Sequence, residues 1–431
     1  MQFLSRWDRQ RLSTTIRGIP LVDGVTIEDI GNQRWSPARG DLALPVLTLD
    51  EAAFAANRDL FLKWCASAGV AVAPHAKTPM SPELAHSLRA AGAWGTTIAN
   101  VQQAAVLLAS GERRLLLANE IGGLAAGQRL GALLSAYPDV EFHAFADSPA
   151  AVAALAESAR IAERRDLSVL AELGAGRAGA RDRAAAEATI AAVRAADRLV
   201  LGGVATYEGA AATSDTNETM RAIAALLERT VETFALVRAA APKRPLIISA
   251  GGSAYFDIVA RALAPVARAD GNATVLLRSG ALFFADHGIY ARAFAEIDRR
   301  GGLVIDGLHH SAMESFRPAL TLWAEVLSRP EDGLAIAGFG MRDASFDQGL
   351  PVPLRVVRDG VEQLGLAAAL TVTRLNDQHA FLSIASEAAL AVGDIIAFGI
   401  SHPCTCLDRW RVIFGLDADG VVTRALPTQF G

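Results

Sequence analysis

Val70-Ala71-Val72-Ala73-Pro74-His75-Ala76-Lys77-Thr78 is an apolar run that stops at a proline and is followed at once by a histidine and a lysine. A helical pattern begins a few residues later, near Ser81. Strand, loop and helix in that order form one βα unit, and the same unit recurs down the chain. Apolar runs at 70–74, 95–99, 114–118, 140–145, 168–173, 200–206, 244–249 and 274–278 alternate with alanine-rich amphipathic stretches such as Ser148 to Arg164 and Met220 to Ala241. Apolar strands that alternate with helices pair in parallel. Eight such units over roughly 250 residues predict a closed (β/α)8 barrel. A doubly wound open sheet is the alternative, but no Gly-x-Gly-x-x-Gly follows the first strand.

Beyond about residue 304 the pattern changes. Segments 318–327, 333–339, 352–357, 362–372, 380–385, 394–400 and 411–415 are short and β-like, punctuated by turns such as Asp359-Gly360 and Asp419-Gly420. The fold class expected is therefore α/β: a TIM-type barrel over 41–303 and a mostly β domain over 304–431, joined by the N-terminal segment 1–40, which fits no helical unit.

Composition narrows the function classes. The 431 residues are 52% hydrophobic and 20% charged, enough for a large core. A net charge of −5, with no cluster of Lys and Arg, argues against a nucleic-acid partner. Met1 to Thr15 lacks the continuous apolar core of a signal peptide, and no run approaches the ~20 apolar residues of a membrane span. Three cysteines, Cys65, Cys404 and Cys406, suit a reducing compartment better than a disulfide framework. A cytoplasmic enzyme acting on a small molecule, with no membrane partner, is the expectation.

In a (β/α)8 barrel the chemistry sits where the strands end. Strand one delivers His75 and Lys77, strands two to four Asn100, Asn119 and Asp147, strand five Gly174-Ala175-Gly176-Arg177, and strand six Tyr207. Strand seven delivers Gly251-Gly252-Ser253, and strand eight Arg278-Ser279-Gly280. Lys77 is either a partly desolvated amine that attacks a carbonyl or an ordinary loop lysine. Gly251-Gly252-Ser253 is either a tight turn or an anion cup whose N–H groups, serine hydroxyl and following helix N-terminus hold a phosphate, with Ser279-Gly280 beside it. A phosphate cup at strands seven and eight, opposite a lysine at strand one, suits pyridoxal 5'-phosphate: the cup takes the phosphate and Lys77 the aldehyde. Arg177 can approach the ring or phosphate, or pair with Glu172 or Asp182. Tyr207 can line the cofactor, and His75 reads as a hydrogen-bond partner rather than a catalyst.

The β domain holds Ser401-His402-Pro403-Cys404-Thr405-Cys406. In extended chain, residues two apart face the same side, so His402 and Cys404 can present an imidazole nitrogen and a thiolate together, a pair suited to zinc. Two ligands leave positions open for water or substrate. Cys406 competes as a ligand on that reading, and His379 is either a core histidine or a further polar contact. Buried structural residues are the alternative for the whole motif.

Taken in order, these residues resemble the D-serine dehydratase and D-threonine aldolase family of fold-type III pyridoxal phosphate enzymes, from Pro74 to about Asp408. Pro74-His75-Ala76-Lys77-Thr78 resembles the family's cofactor-lysine motif. Gly176-Arg177-Ala178-Gly179, Tyr207-Glu208-Gly209 and Gly251-Gly252-Ser253 match its later landmarks. Leu277-Arg278-Ser279-Gly280 is similar to its Arg-Pro-Gly with serine for proline, and Gln378-His379-Ala380 to its Glu-His-Gly. His402-Pro403-Cys404 matches the His-x-Cys metal pair of the dehydratases, where aldolases tend to carry aspartate at the cysteine. The resemblance implies a homodimeric, zinc-dependent lyase that converts a 3-hydroxy-D-amino acid such as D-serine to a 2-oxo acid and ammonia. D-threonine aldolase chemistry and amino-acid racemisation are the alternatives.

Overall fold

The computed structural model describes residues 12–20, 25–385 and 388–430. The outlying 1–11 of the N-terminal segment, and 21–24 within it, lie outside the described residues.

Eight parallel strands form one sheet: β2 (Ala71–Val72), β3 (Thr96–Ile98), β4 (Arg114–Leu117), β5 (Glu141–Ala146), β6 (Leu167–Leu173), β7 (Leu199–Thr206), β8 (Leu246–Ser249) and β9 (Ala273–Leu277). β2 pairs with β9. On its other side it meets β3 through the parallel bridge His75–Thr97 and the bond from Trp94 N–H to Val72 O, so the barrel closes. A helix follows each strand, from Pro82–Ala90 after β2 to Ile289–Arg299 after β9. Their starts are set locally. Asn100, Ser148, Asp182 and Asp215 each cap the helix they precede by accepting an N–H three residues on. The barrel strands are buried nearly throughout, as strands covered on both faces must be.

The interior of the barrel is a small apolar cluster: Ala73, Leu116, Phe145, Leu170, Ala205, Ile247 and Leu276. Side chains alternate along a strand, so the next inward position on each strand is fixed as well. It falls on His75, Ala118, Asp147, Glu172, Tyr207, Ser249 and Arg278. The apolar floor thus gives way, two residues up, to a polar layer at the C-terminal mouth.

The second body is a ten-stranded β-sheet. Its main path runs β15 (Val361–Glu362), β14 (Val352–Arg358), β18 (Ile395–Gly399), β12 (Leu320–Glu331), β1 (Val46–Asp50), β19 (Val412–Leu416) and β20 (Val422–Pro427). β13 (Leu334–Ala337), β17 (Ala380–Ile384) and β16 (Leu370–Leu375) branch from β12. A separate hairpin, β10 (Leu303–Ile305) with β11 (Leu308–His310), links barrel and sheet. β1 sits in the centre of the sheet, antiparallel to β12 and parallel to β19. A boundary at 41 therefore gives the barrel a strand that belongs to the sheet. The expected strand over 362–372 is interrupted by a helical turn at Leu366–Ala369, and β20 had no counterpart in the sequence reading. Leu12, Ile19, Val25, Ile27, Ile30 and Leu42 pack with Trp323, Val357, Ile395 and Phe414 of the sheet.

The β domain docks on the barrel mouth at the loop after β9. His287 N–H donates to Ile400 O and Ile289 N–H to Ser401 O, both at 3.0 Å. A Cβ on Gly288 would lie 2.4 Å from Ser401 O, so only glycine permits this approach. The turn carrying His402 is thereby docked against the loop after β9.

Candidate functional site

A cleft of about 450 Å³ opens at the barrel mouth, and the sequence-predicted residues converge on it. Lys77, His75, Arg177, Tyr207, Gly252, Ser253, Arg278 and Gly280 line it from the barrel, and His402 and Cys404 from the β domain. Gly251 and Ser279 stand just behind, with the Ser279 hydroxyl donating to Gly251 O at 3.3 Å and Gly252 O at 3.2 Å. Asn119, Thr78, Ile289 and Tyr290 complete the walls.

Lys77 is exposed to this cleft rather than desolvated by protein alone. Behind it the His75 Nδ1 is buried without a hydrogen-bond partner. Burial first, and then the positive charges of Lys77, Arg278 and Arg177, hold this imidazole well below its ordinary pKa. Arg278 is 6% exposed; it donates to Ser249 Oγ and Thr206 O, both at 2.7 Å, and lies 5.3 Å from the Phe145 ring centre. Burial lowers its pKa, and the Glu208 and Glu172 carboxylates oppose that shift. Arg177 forms no ion pair with Glu172 or Asp182 among the described residues; its guanidinium lies over the Tyr207 ring at 4.7 Å. Burial, then Glu208, raises the Tyr207 phenol.

The glycine turn is built differently from a bare anion cup. The N–H groups of Gly251 and Gly252 donate to the two carboxylate oxygens of Glu208, at 3.0 and 2.7 Å. Glu208 is fully buried, and Gly251 has φ +88°. These two amides hold the turn, where the sequence expectation gave them to a phosphate. The N–H groups of Ser253, Ser279 and Gly280 donate to no protein acceptor among the described residues, and Ser253 and Gly280 line the cleft. Sequence reasoning missed Glu208 because a glutamate beside a tyrosine in a loop reads as solvated.

A second polar feature, also missed, is a group of carboxyls at the ends of β4, β5 and β6. Glu120 Oε1 and Glu172 Oε2 are buried and unpartnered. Burial, the facing Glu172 carboxyl and the charge of Asp147 push Glu120 up to about 9.

On the β-domain side, His402 and Cys404 do not lie in extended chain. Pro403–Leu407 is a short helix with His402 at its N-cap and Pro403 in its first turn. Helical curl, not the pleat, brings the imidazole and thiol together. It also turns Cys406 away: that thiol is buried, 3.8 Å from Asp343 O, and burial pushes it up to about 12. Cys406 is thus no competing ligand. His379 lies exposed in the turn between β16 and β17 and does not line the cleft. The Cys404 Sγ is 3.2 Å from Thr78 Oγ1, one residue from Lys77. His402 Nδ1 is 2.6 Å from Asp347 Oδ2. Burial works against the His402 cation, but hydrogen bonds to Cys404 and Asp347 outweigh it and raise the imidazole to about 9. Among the described residues no group of three or more His, Cys, Asp or Glu side chains is arranged to hold a metal.

This arrangement, a closed barrel presenting a lysine to a cleft roofed by a β domain, is the alanine-racemase-like, fold-type III architecture. Within that class the chain is similar to the D-serine dehydratases and D-threonine aldolases. Residues 319–416 match the family described as "Putative serine dehydratase domain". The chain is 26% identical over 366 residues to a D-threonine aldolase of an Arthrobacter species, across 83% of this chain and 85% of that protein. It superposes on the D-threonine aldolase of Filomicrobium marinum with a TM-score of 0.72 at 24% identity, covering 90% of this chain and 95% of the other. For D-threo-3-hydroxyaspartate dehydratase from Delftia sp. HT23 the TM-score is 0.67 at 24% identity, covering 92% and 99%. No helix among the described residues is long and apolar enough to cross a membrane.

Proposed function

We propose that this chain is a pyridoxal phosphate- and metal-dependent lyase that converts a 3-hydroxy-D-amino acid, D-serine or a close analogue, to a 2-oxo acid and ammonia. The observation that carries the reading is the shared cleft: Lys77 on one wall, and the His402–Cys404 pair one residue's contact away through Thr78.

The residues fit both groups. The free N–H donors of Ser253, Ser279 and Gly280 suit the cofactor's phosphate, and a Cβ at Gly252 would lie 2.7 Å from the Tyr207 ring, closing that cradle to anything but glycine. Neutral imidazole and thiolate are the donors zinc prefers, and a relative, D-threo-3-hydroxyaspartate dehydratase, is described in a metal-free form. When bound, pyridoxal phosphate supplies the electron sink that stabilises a Cα carbanion, and the metal supplies a Lewis acid for departure of the β-hydroxyl.

The chain's own residues do the rest. Lys77 would hold the cofactor, and its Nζ is the group placed to take the Cα proton. Arg278, fixed by Ser249 and Thr206, keeps a positive charge beneath the cleft. Arg177 stacked on Tyr207 closes its side, and neutral His75 supports the lysine loop from behind. Loss of the Cα hydrogen and the Cβ hydroxyl removes one water. The released enamine takes up one water and parts as 2-oxo acid and ammonia.

The Arthrobacter relative favours a second reading, retro-aldol cleavage to glycine and an aldehyde by the same lysine and metal. D-threonine separates them: 2-oxobutanoate with ammonia supports the dehydratase, glycine with acetaldehyde the aldolase. The same reading makes the working unit a cytoplasmic homodimer. Exposed Phe346, Val352 and Leu354 beside the metal turn support a covered face there.

A further inference from the structure

Asp347 touches both the metal pair's imidazole and the helix that carries its thiol. Its Oδ2 is 2.6 Å from His402 Nδ1, and its Oδ1 accepts from the Thr405 hydroxyl at 2.6 Å. Both carboxylate oxygens are thus spent on one short turn, His402 to Thr405, with Cys404 between the two contacts. The carboxylate's own segment is tied down as well. His402 N–H donates to Ser345 Oγ at 3.1 Å, the Ser345 and Ser401 hydroxyls meet at 3.2 Å, and Trp410 Nε1 donates to Asp343 O at 3.0 Å. An ordinary exposed ion pair would need only the first of these contacts, and a long side chain would be free to leave it. Here the geometry is held from both ends.

We propose that Asp347 is the positioning residue of the metal site. It accepts Nδ1–H from His402, which fixes the imidazole tautomer with its lone pair on Nε2, and it orients the ring so that Nε2 and the Cys404 sulfur face one divalent cation. Thr405 clamps the carboxylate in place. A histidine that ligates through one nitrogen is oriented by what the other nitrogen bonds, and removing that partner weakens metal binding ~10–100-fold. The inference rests on the metal reading given above, and the experiment keeps the two apart.

The test is a zinc titration of the cofactor-loaded, metal-stripped protein against a chelating competitor. Wild type is compared with Asp347→Ala, Thr405→Val and Cys404→Ala, with cofactor absorbance recorded for each. Wild type should take one zinc per chain, and Cys404→Ala should lose it. Asp347→Ala should bind ~10–100-fold more weakly with its cofactor absorbance intact, and Thr405→Val should fall between the two. In the zinc-loaded wild type, the imidazole Nδ1–H of His402 should persist as a slowly exchanging proton signal that Asp347→Ala lacks. Wild-type zinc affinity in Asp347→Ala, alongside loss in Cys404→Ala, overturns the positioning role and leaves the metal site standing. If Asp347→Ala loses its cofactor and so its fold, Thr405→Val decides, and unchanged affinity there overturns the role. Full zinc binding by Cys404→Ala overturns the metal reading and the inference with it.

Discussion

Glu208→Gln isolates the device that holds the Gly251-Gly252 turn, the proposed cofactor cradle. Its carboxylate accepts from Gly251 N–H at 3.0 Å and Gly252 N–H at 2.7 Å, and the side chain is fully buried. Glutamine keeps the shape but replaces one acceptor by an NH₂ group. One glycine N–H then faces a donor, at a buried bond for Gly251 and a part-buried one for Gly252. A hydrogen bond to a charged group contributes ~1.5–3 kcal/mol and an orphaned buried donor costs ~1–3 kcal/mol. The two overlap, so ~2–4 kcal/mol is the working figure. The turn has little room to escape the cost. A Cβ on Gly251 would lie 2.4 Å from Leu277 and one on Gly252 2.7 Å from Tyr207, so the backbone is wedged on both sides. At ~1.4 kcal/mol per decade, the full cost, if it falls on the cradle, weakens cofactor affinity ~30- to 1000-fold. Titration of the cofactor-free protein with pyridoxal phosphate reads this, and urea unfolding followed by tryptophan fluorescence reads the share that falls on the fold itself. If Glu208→Gln binds cofactor within about twofold of wild type and unfolds at the same urea concentration, a difference no larger than a neutral surface change, the reasoning about the turn is wrong.

Further outcomes are expected. Lys77→Ala should abolish borohydride fixation of the cofactor and lower turnover at least ~10²–10⁴-fold, the range for a lost general base; fixation elsewhere in the chain would remove Lys77 from the account. Cys404→Ala should lose turnover and keep cofactor absorbance, and loss of the absorbance as well would show that the two groups do not have separate roles. Glu120, raised to about 9 by burial and by Glu172, makes the folded protein hold a proton that the unfolded chain releases. Stability of the cofactor-free protein should therefore fall as pH rises from the ordinary carboxylate range towards about 9, and Glu120→Gln should flatten that slope. An unchanged slope, measured as unfolding midpoint against pH, would mean that the carboxyl group is not held protonated.

The barrel was legible because most of its strand positions are buried and apolar, so that most strands read as largely apolar runs ending in polar residues. β1 was not, for the same reason in reverse. Val46–Asp50 precedes the helix Glu51–Ala68 and imitates another βα unit, while its partners, Trp323 and Phe414 among them, lie hundreds of residues away. At the site, Lys77, Arg177, Ser253, Arg278, His402 and Cys404 could be picked out by chemical type and strand position. What could not be read was who supports them. Asp347 is 55 residues from His402, and Glu208 is 43 from Gly251. Nothing in either local sequence points across that distance. The shape of the His402–Cys404 turn was readable in principle, since Pro403 marks a helix start, but period-two alternation was applied where a helix had begun.

The central claim is that Lys77 and the His402–Cys404 pair act on one substrate in one cleft. The most direct test is 2-oxo acid release from D-serine by the cofactor-loaded protein, measured before chelation, after it, and after zinc is restored, in wild type and Cys404→Ala. The account predicts 2-oxo acid from wild type, its loss on chelation, its return with zinc, and none from Cys404→Ala under any condition. Release that survives chelation, or that Cys404→Ala sustains, would contradict it.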